Sequence, residues 1–442
     1  MSTPLYSALR AFQAADPLRM AMPGHKGQSL PPLADYAGID FTELPPTGNL
    51  YAPGGPIEAA EQLWAEAWGA DCCLFLTGGS TQGVHTMLLR AAAPGAEILV
   101  DRVSHRSVHT GMALLDLRPV WLTRPWLAGA GVAGPAEPDR VEKMLESHPN
   151  IKTVCITSPT YYGVLSDIPT LSHICHTHGA KLLADGAHGA HLFLTGEDPY
   201  RGADYVVTSA HKTLRAPGQS ALLFANAPET LDGLRWASRT FATSSPSYPM
   251  MAALDWARDY YCAGVGQSRY RETCASVARL RRDYPALTPE DAPLDPARLV
   301  LCVEDGFRAE RELQALGIYP EMADAAHVVL ILTDCDGPEE IARLRRGLDR
   351  LGLRGKRRPA GIVQPPPPPP GRQKCTPREA LFAPKEAVPL ERAAGAVAGE
   401  EVAPYPPGVP VVAPGEEIEK KVLSYLREIG YNEKKVTIMQ NR

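Results

Sequence analysis

Four groups of residues in this chain have the types and spacing of a catalytic site. Lys212 closes Ser209-Ala210-His211-Lys212, directly after the apolar run Tyr205-Val206-Val207. A lysine at the end of a buried strand is costly unless its amine is used. Asp185 ends a second apolar run, Lys181 to Ala184, and is followed by Gly186-Ala187-His188-Gly189. Gly78-Gly79-Ser80-Thr81 falls between a strand pattern and a helix pattern, with Gly83 just inside the helix. His105 stands in Asp101-Arg102-Val103-Ser104-His105-Arg106-Ser107, after a further apolar run. An amine forms a Schiff base with an aldehyde, and a carboxylate keeps a pyridine nitrogen protonated. Glycines and hydroxyls at a helix start receive a phosphate, and an imidazole stacks on a ring. Pyridoxal phosphate (PLP) is the cofactor that calls for all four, with Ser209 and His211 as further phosphate donors. Alone, each group has a plainer explanation: a surface lysine, a turn-capping aspartate, an ordinary N-cap or a loop histidine. The joint occurrence at strand ends favours the cofactor. The glycine segment is neither a Walker A sequence nor Gly-x-Gly-x-x-Gly, so no nucleotide site is expected.

These residues need strands to hold them. Between about 57 and 225 the pattern alternates strands with helices. Strands are expected at Cys72–Leu76, Glu97–Asp101, Pro119–Leu122, Thr153–Thr157, Lys181–Asp185, Tyr205–Thr208 and Ala221–Phe224. Helices are expected at Pro56–Trp68, Thr81–Ala92, Pro138–Ser147 and Ile168–His178. Continuous apolar strands with intervening helices imply an α/β fold with a mostly parallel sheet covered on both faces, its ligands at the carboxyl ends of the strands. A long helix is expected from about Ser244 to Tyr261. Leu299–Val303 and Val328–Leu332 read as strands of a smaller C-terminal α/β domain, and Glu416–Leu426 as an amphipathic helix. The expected organisation is an N-terminal segment 1–56, a large domain 57–265 and a small domain 266–442. The six prolines Pro365 to Pro370 act as an extended spacer.

The chain has 442 residues, 44% of them hydrophobic and 21% charged, with a net charge of −5. That charge and the absence of a basic tract argue against nucleic-acid binding. No apolar run is long enough for a membrane span. Met1 to Arg10 lacks a signal-peptide core, and the nine cysteines lack metal-ligand spacing, so reduced thiols in a cytoplasm and no metal are expected. Cys72-Cys73 reads as a buried strand-edge pair rather than a ligand set.

Ten stretches, in order from residue 21 to about 416, resemble the ornithine/lysine/arginine decarboxylase family of fold-type-I PLP enzymes. They are AMPGHKG (21–27), FTELPPTGNLYAPGGPI (41–57), LTGGSTQG (76–83), DRVSHRSV (101–108), SPTYYGV (158–164), ADGAHGAH (184–191), SAHKTL (209–214), TSSPSYPMMAALDWAR (243–258), PREALFAPKEAVPL (377–390) and PYPPGVPVVAPGE (404–416). The resemblance implies a fold-type-I PLP-dependent transferase-like fold and an obligate homodimer, or higher homo-oligomer, with active sites at the subunit interface. It makes Lys212 the Schiff-base lysine, Asp185 the partner of the pyridine nitrogen, His105 the ring-stacking residue and His188 a neighbour of the ring. Ser80, Thr81, Ser209 and His211 are its phosphate ligands, with Gly79 and Ala187 beside them, and TSSPSY reaches the partner subunit's phosphate. The chain departs from the family at Gly186, often acidic, at Asn49, often aspartate, and at Arg215-Ala216-Pro217-Gly218. It resembles the short biosynthetic-type members, without the N-terminal receiver-like domain of the large inducible ones.

The activity implied is decarboxylation of a basic L-amino acid to a polyamine precursor and carbon dioxide. Arginine is favoured by analogy, with lysine or ornithine possible. Glu43 and Glu386 are weak candidates for the distal cation and Arg378 for the α-carboxylate. The residues that hold PLP do not choose which bond at Cα breaks, so an aminotransferase or lyase stays open. So does a catalytically silent PLP-fold regulatory protein. Lys26 is a less favoured Schiff-base lysine, because no strand precedes it.

Overall fold

The computed structural model describes residues 2–15, 36–196, 198–359, 364–404, 409–431 and 435–440. The AMPGHKG stretch with Lys26, and residues 405–408 of the PYPPGVPVVAPGE stretch, lie outside the described residues. The chain divides into two units. The first comprises Met1–Arg90 and Gly186–Arg271, the second Ala91–Asp185 and Glu272–Arg442.

In the first unit, strand Ala221–Ala225 lies between Cys72–Leu76 and Tyr205–Thr208 and runs antiparallel to both. All three are buried along their whole length, and both cysteines of Cys72-Cys73 are buried and free. The apolar runs predict a mostly parallel sheet, and Ala221–Ala225 is an antiparallel member of it. The antiparallel return follows from the link between Tyr205–Thr208 and Ala221–Ala225, which holds one helical turn, Ala210–Thr213. A parallel return needs a full crossover, usually a long helix. Helix Gly55–Trp68 starts with proline in its first turn and stops at Gly69, whose φ of 83° suits glycine. It buries Ile57, Ala60, Trp64 and Trp68; Trp64 donates its indole N–H to Leu254 O at 2.9 Å, and Trp68 stacks on Phe224 at 4.2 Å. Helix Tyr248–Cys262 begins later than the apolar pattern suggests, because Ser247 accepts from Met250 N and Pro249 occupies the first turn.

The second unit carries four parallel strands in the order Lys181–Asp185, Thr153–Thr157, Glu97–Asp101, Arg118–Leu122. A three-stranded antiparallel sheet of Arg298–Cys302, His327–Ile331 and Met322–Ala323 packs Leu299, Leu301 and Val328 against Leu313 and Leu348. The pair Lys385–Pro389 and Lys435–Met439 shares a core with helix Lys420–Glu428 through Ile438, Val422 and Leu426. Pro365 to Pro370 form neither helix nor strand. No described helix is long and apolar enough to cross a membrane.

A buried charge cluster braces this unit. His327 Nδ1 lies 3.1 Å from both Asp324 oxygens, its Nε2 lies 2.9 Å from Ala130 O, and Tyr162 donates to Asp324 at 2.6 Å. Burial alone would lower the His327 pKa, but the Asp324 carboxylate raises it to about 10. Burial alone would raise Asp324, and His327 holds it down instead. A histidine raised from 6.5 stabilises the fold fully below 6.5 and loses that contribution as pH rises through 10. Urea titrations should therefore show stability falling between pH 7 and 10, and His327→Ala should cost about 3–5 kcal/mol at pH 6 and flatten that fall.

Candidate active site

In the first unit, Lys212 sits on the helical turn Ala210–Thr213, four residues past the strand end at Thr208. Its Nζ lies 3.1 Å from Nε2 of the buried His188. The loop that carries His188 is fixed by its backbone. Gly186 N donates to Val207 O at 2.9 Å, Gly189 N to Gly186 O at 2.7 Å, and Ser209 N to Ala187 O at 3.3 Å. Ala187 thus acts through its carbonyl, joining the histidine loop to the lysine turn. A Cβ at Gly186 would stand 2.7 Å from the Tyr200 hydroxyl, so the position leaves little room for a side chain.

Ser209 donates to Ser80 Oγ at 2.9 Å, so the two hydroxyls expected at a phosphate do meet. Helix Gly79–Ala91 begins at Gly79, two residues earlier than expected, which places Ser80 and Thr81 in its first turn. Gly79 has φ +73°, and a side chain on Gly83 would come within 2.6 Å of Val207 and Leu76. The helix start therefore rests directly on the strands beneath the lysine. Gln82 accepts from Gly78 N at 2.9 Å and donates to Ser238 at 2.7 Å, holding the turn before the helix. His211 Nδ1 lies 2.8 Å from Ser220 O. The buried hydroxyls of Thr77, Thr208 and Thr213 have no hydrogen-bond partner among the described residues. Orphaned hydroxyls and paired serines at a helix start fit a phosphorylated ligand better than a packed apolar core. Glu43 is half-buried and accepts from Thr42 Oγ1 at 2.6 Å.

In the second unit, Asp185 ends its strand at 3% exposure, and its carbonyl accepts from Ser158 N at 3.0 Å. His105 caps helix Arg106–Leu115, Nδ1 accepting from Ser107 N, and its ring is exposed. Two buried ion pairs that sequence reading missed hold the strand end before it. Arg124 pairs with Asp101, and also donates to Gly134 O at 3.1 Å and to Thr157 O. Arg102 reaches Glu416 through two N–H groups, each at 2.8 Å, and lies over Trp121, which stacks on His109 at 5.2 Å. Burial pushes His109 down to about 3, so its imidazole is neutral. Glu416 was expected to open a helix. It is spent on Arg102 and on Ala413 N, and the helix starts at Lys420. Arg102→Ala would leave Glu416 buried without a cation; a loss of about 3–5 kcal/mol is expected in urea unfolding, with little recovery in Arg102→Lys because lysine lacks the planar fork.

The weak candidates are not drawn in. Arg378 is exposed, donates to Leu114 O at 2.9 Å and lies over Phe382. Glu386 is exposed on the two-stranded sheet, opposite Ile438.

The fold is the type I fold of PLP-dependent enzymes. It is similar to the constitutive lysine decarboxylase of Escherichia coli, with a TM-score of 0.81 at 18% identity over 99% of this chain and 82% of that one. The serine palmitoyltransferase of Sphingomonas wittichii matches 67% of this chain and 76% of its own at a TM-score of 0.54. Two family models, described as Orn/Lys/Arg decarboxylase, major domain, and Orn/Lys/Arg decarboxylase, C-terminal domain, match residues 3–291 and 372–436. The chain belongs to the Orn/Lys/Arg decarboxylase family and is an amino-acid decarboxylase. The arginine decarboxylase of Halalkalibacterium halodurans is 29% identical over 96% of this chain and 93% of its own length. That of Bacillus subtilis is 29% identical over 96% and 93%.

Proposed function

We propose that this protein is a PLP-dependent decarboxylase of a basic L-amino acid, arginine before lysine or ornithine, and yields the amine and carbon dioxide. Relatives named arginine decarboxylase, aligned over nearly the whole chain, support the substrate. The observation that carries the cofactor is the Lys212 amine held 3.1 Å from His188, with the Ser80 and Ser209 hydroxyls paired at a helix start. When bound, PLP supplies a sink for the electron pair left on Cα as carbon dioxide departs.

The residues then have separate duties. Lys212 would anchor the cofactor through its amine, and that amine would be the acid placed to return a proton to Cα. His188 Nε2 holds that amine and relays its proton. Ser80, Thr81, Ser209 and His211 hold the phosphate at the helix N-terminus, with Gly79 giving the backbone room. Asp185 would hold the pyridine nitrogen protonated, and His105 would lie against the ring. The enzyme works as a cytoplasmic homodimer, and the amine it makes is a polyamine precursor.

Borohydride reduction of the PLP-reconstituted protein, followed by peptide mass spectrometry, tests the anchor. The label is expected on Lys212. A label on Lys26 would overturn the assignment.

A further inference from the structure

Gln82 is 3% exposed on helix Gly79–Ala91, and both ends of its amide are bonded. Oε1 accepts from Gly78 N at 2.9 Å, and Nε2 donates to Ser238 Oγ at 2.7 Å. An apolar side chain would be easier to bury at this position, so the two bonds are what the amide contributes. The bond to Gly78 is the return half of a capping box, in which an early helix side chain reaches back to the backbone N–H before the helix. The forward half is missing, because Gly78 has no side chain to accept from the first-turn N–H groups. Those donors are the ones an anion takes at a helix start. A Cβ on Gly78 would stand 2.6 Å from Gln82 Oε1 and push the amide away.

Ser238 is itself fixed. It lies one turn after Arg235 on helix Leu231–Ser238, and both residues are buried. Arg235 reaches Glu61 at 3.1 Å and Glu58 at 2.9 Å, both on helix Gly55–Trp68. Glu61 also accepts from Phe75 N at 2.9 Å, in the strand that leads to Gly78. One short helix therefore holds the glycine turn from both sides. It acts through Glu61 on the strand before the turn, and through Gln82 on the helix after it.

We propose that Gln82 is a positioning residue for the phosphate of the cofactor, aimed by Ser238. It bonds the turn rather than the ligand, and it sets how the Gly79-Ser80-Thr81 helix start, with Ser80 bonded to Ser209, meets that group. The inference rests on the PLP reading above. Its consequence is selective: Gln82 and Ser238 matter for a ligand that carries a phosphate, and not for the same ring without one.

The test compares pyridoxine 5'-phosphate with pyridoxine, by equilibrium dialysis against the full chain freed of cofactor. Both are alcohols that form no Schiff base with Lys212, and they differ only in the phosphate. The wild type should bind the phosphate ester about 100-fold more tightly. Gln82→Met keeps the length of the side chain but makes neither bond. It should weaken the ester about tenfold and pyridoxine less than about twofold. Ser238→Ala, a smaller change, should weaken the ester about threefold, again with little effect on pyridoxine. The double variant should lose no more than Gln82→Met alone, because the two residues act in series. Variants that lose both ligands equally, or that keep the full wild-type preference for the ester, overturn the proposal. A wild type that prefers the ester while both variants do so equally overturns the Gln82 role alone. A wild type that binds the ester no better than pyridoxine removes the phosphate cradle, and the PLP reading with it.

Discussion

Lys212→Ala is expected to lower kcat on the order of 10³-fold or more, and to abolish the long-wavelength absorbance of the lysine-bound cofactor. Both losses have one cause. The Lys212 amine is the group held against His188, on a turn fixed by the Ser209 N to Ala187 O bond. Alanine removes the amine and leaves that backbone bond intact. The side chain is only half-buried, so urea unfolding should move little. Absorbance spectra, steady-state rates and unfolding curves on the same preparation separate lost chemistry from lost fold. Activity and absorbance that persist in Lys212→Ala would place the anchor elsewhere, with Lys26 the first alternative.

Asp185→Asn is expected to act differently. It should lower kcat by about 10²–10³-fold, the scale for removing one preorganised charge from a site, while cofactor attachment to Lys212 persists. Asparagine keeps the shape of the side chain and a hydrogen bond but cannot hold a pyridine nitrogen protonated. Asp185 is nearly fully buried, and a neutral amide is cheaper to bury than a carboxylate, so stability should not fall. Partial rescue by Asp185→Glu would mark the charge as the active feature. Equal rates in Asp185→Asn and wild type would remove Asp185 from the ring nitrogen.

The strands that carry these residues were legible because they are buried on both faces. Cys72–Leu76, Thr153–Thr157 and Lys181–Asp185 are continuous apolar runs with polar residues at their ends, and their bounds match the sequence pattern. Strand direction was less legible. Ala221–Ala225 is as apolar as its neighbours, and only the short link before it dictates its antiparallel course. The helix at Tyr248 was anticipated four residues early because apolar periodicity says nothing of the Ser247 cap. The chemistry proposed at Lys212 rests on residue types. Its closeness to His188 could not be read from them, because that depends on how two loops are tied by backbone bonds. Arg102 and Glu416 are 314 positions apart, and no local pattern pairs them.

The most direct measurement follows the carboxyl carbon. Purified, PLP-reconstituted protein is supplied with arginine labelled at that carbon, and then with lysine and ornithine labelled likewise. The label is expected to leave as carbon dioxide in a one-to-one ratio with agmatine, fastest from arginine, and not at all with Lys212→Ala. Label retained in a keto acid, or no release from any of the three amino acids, would contradict the assignment.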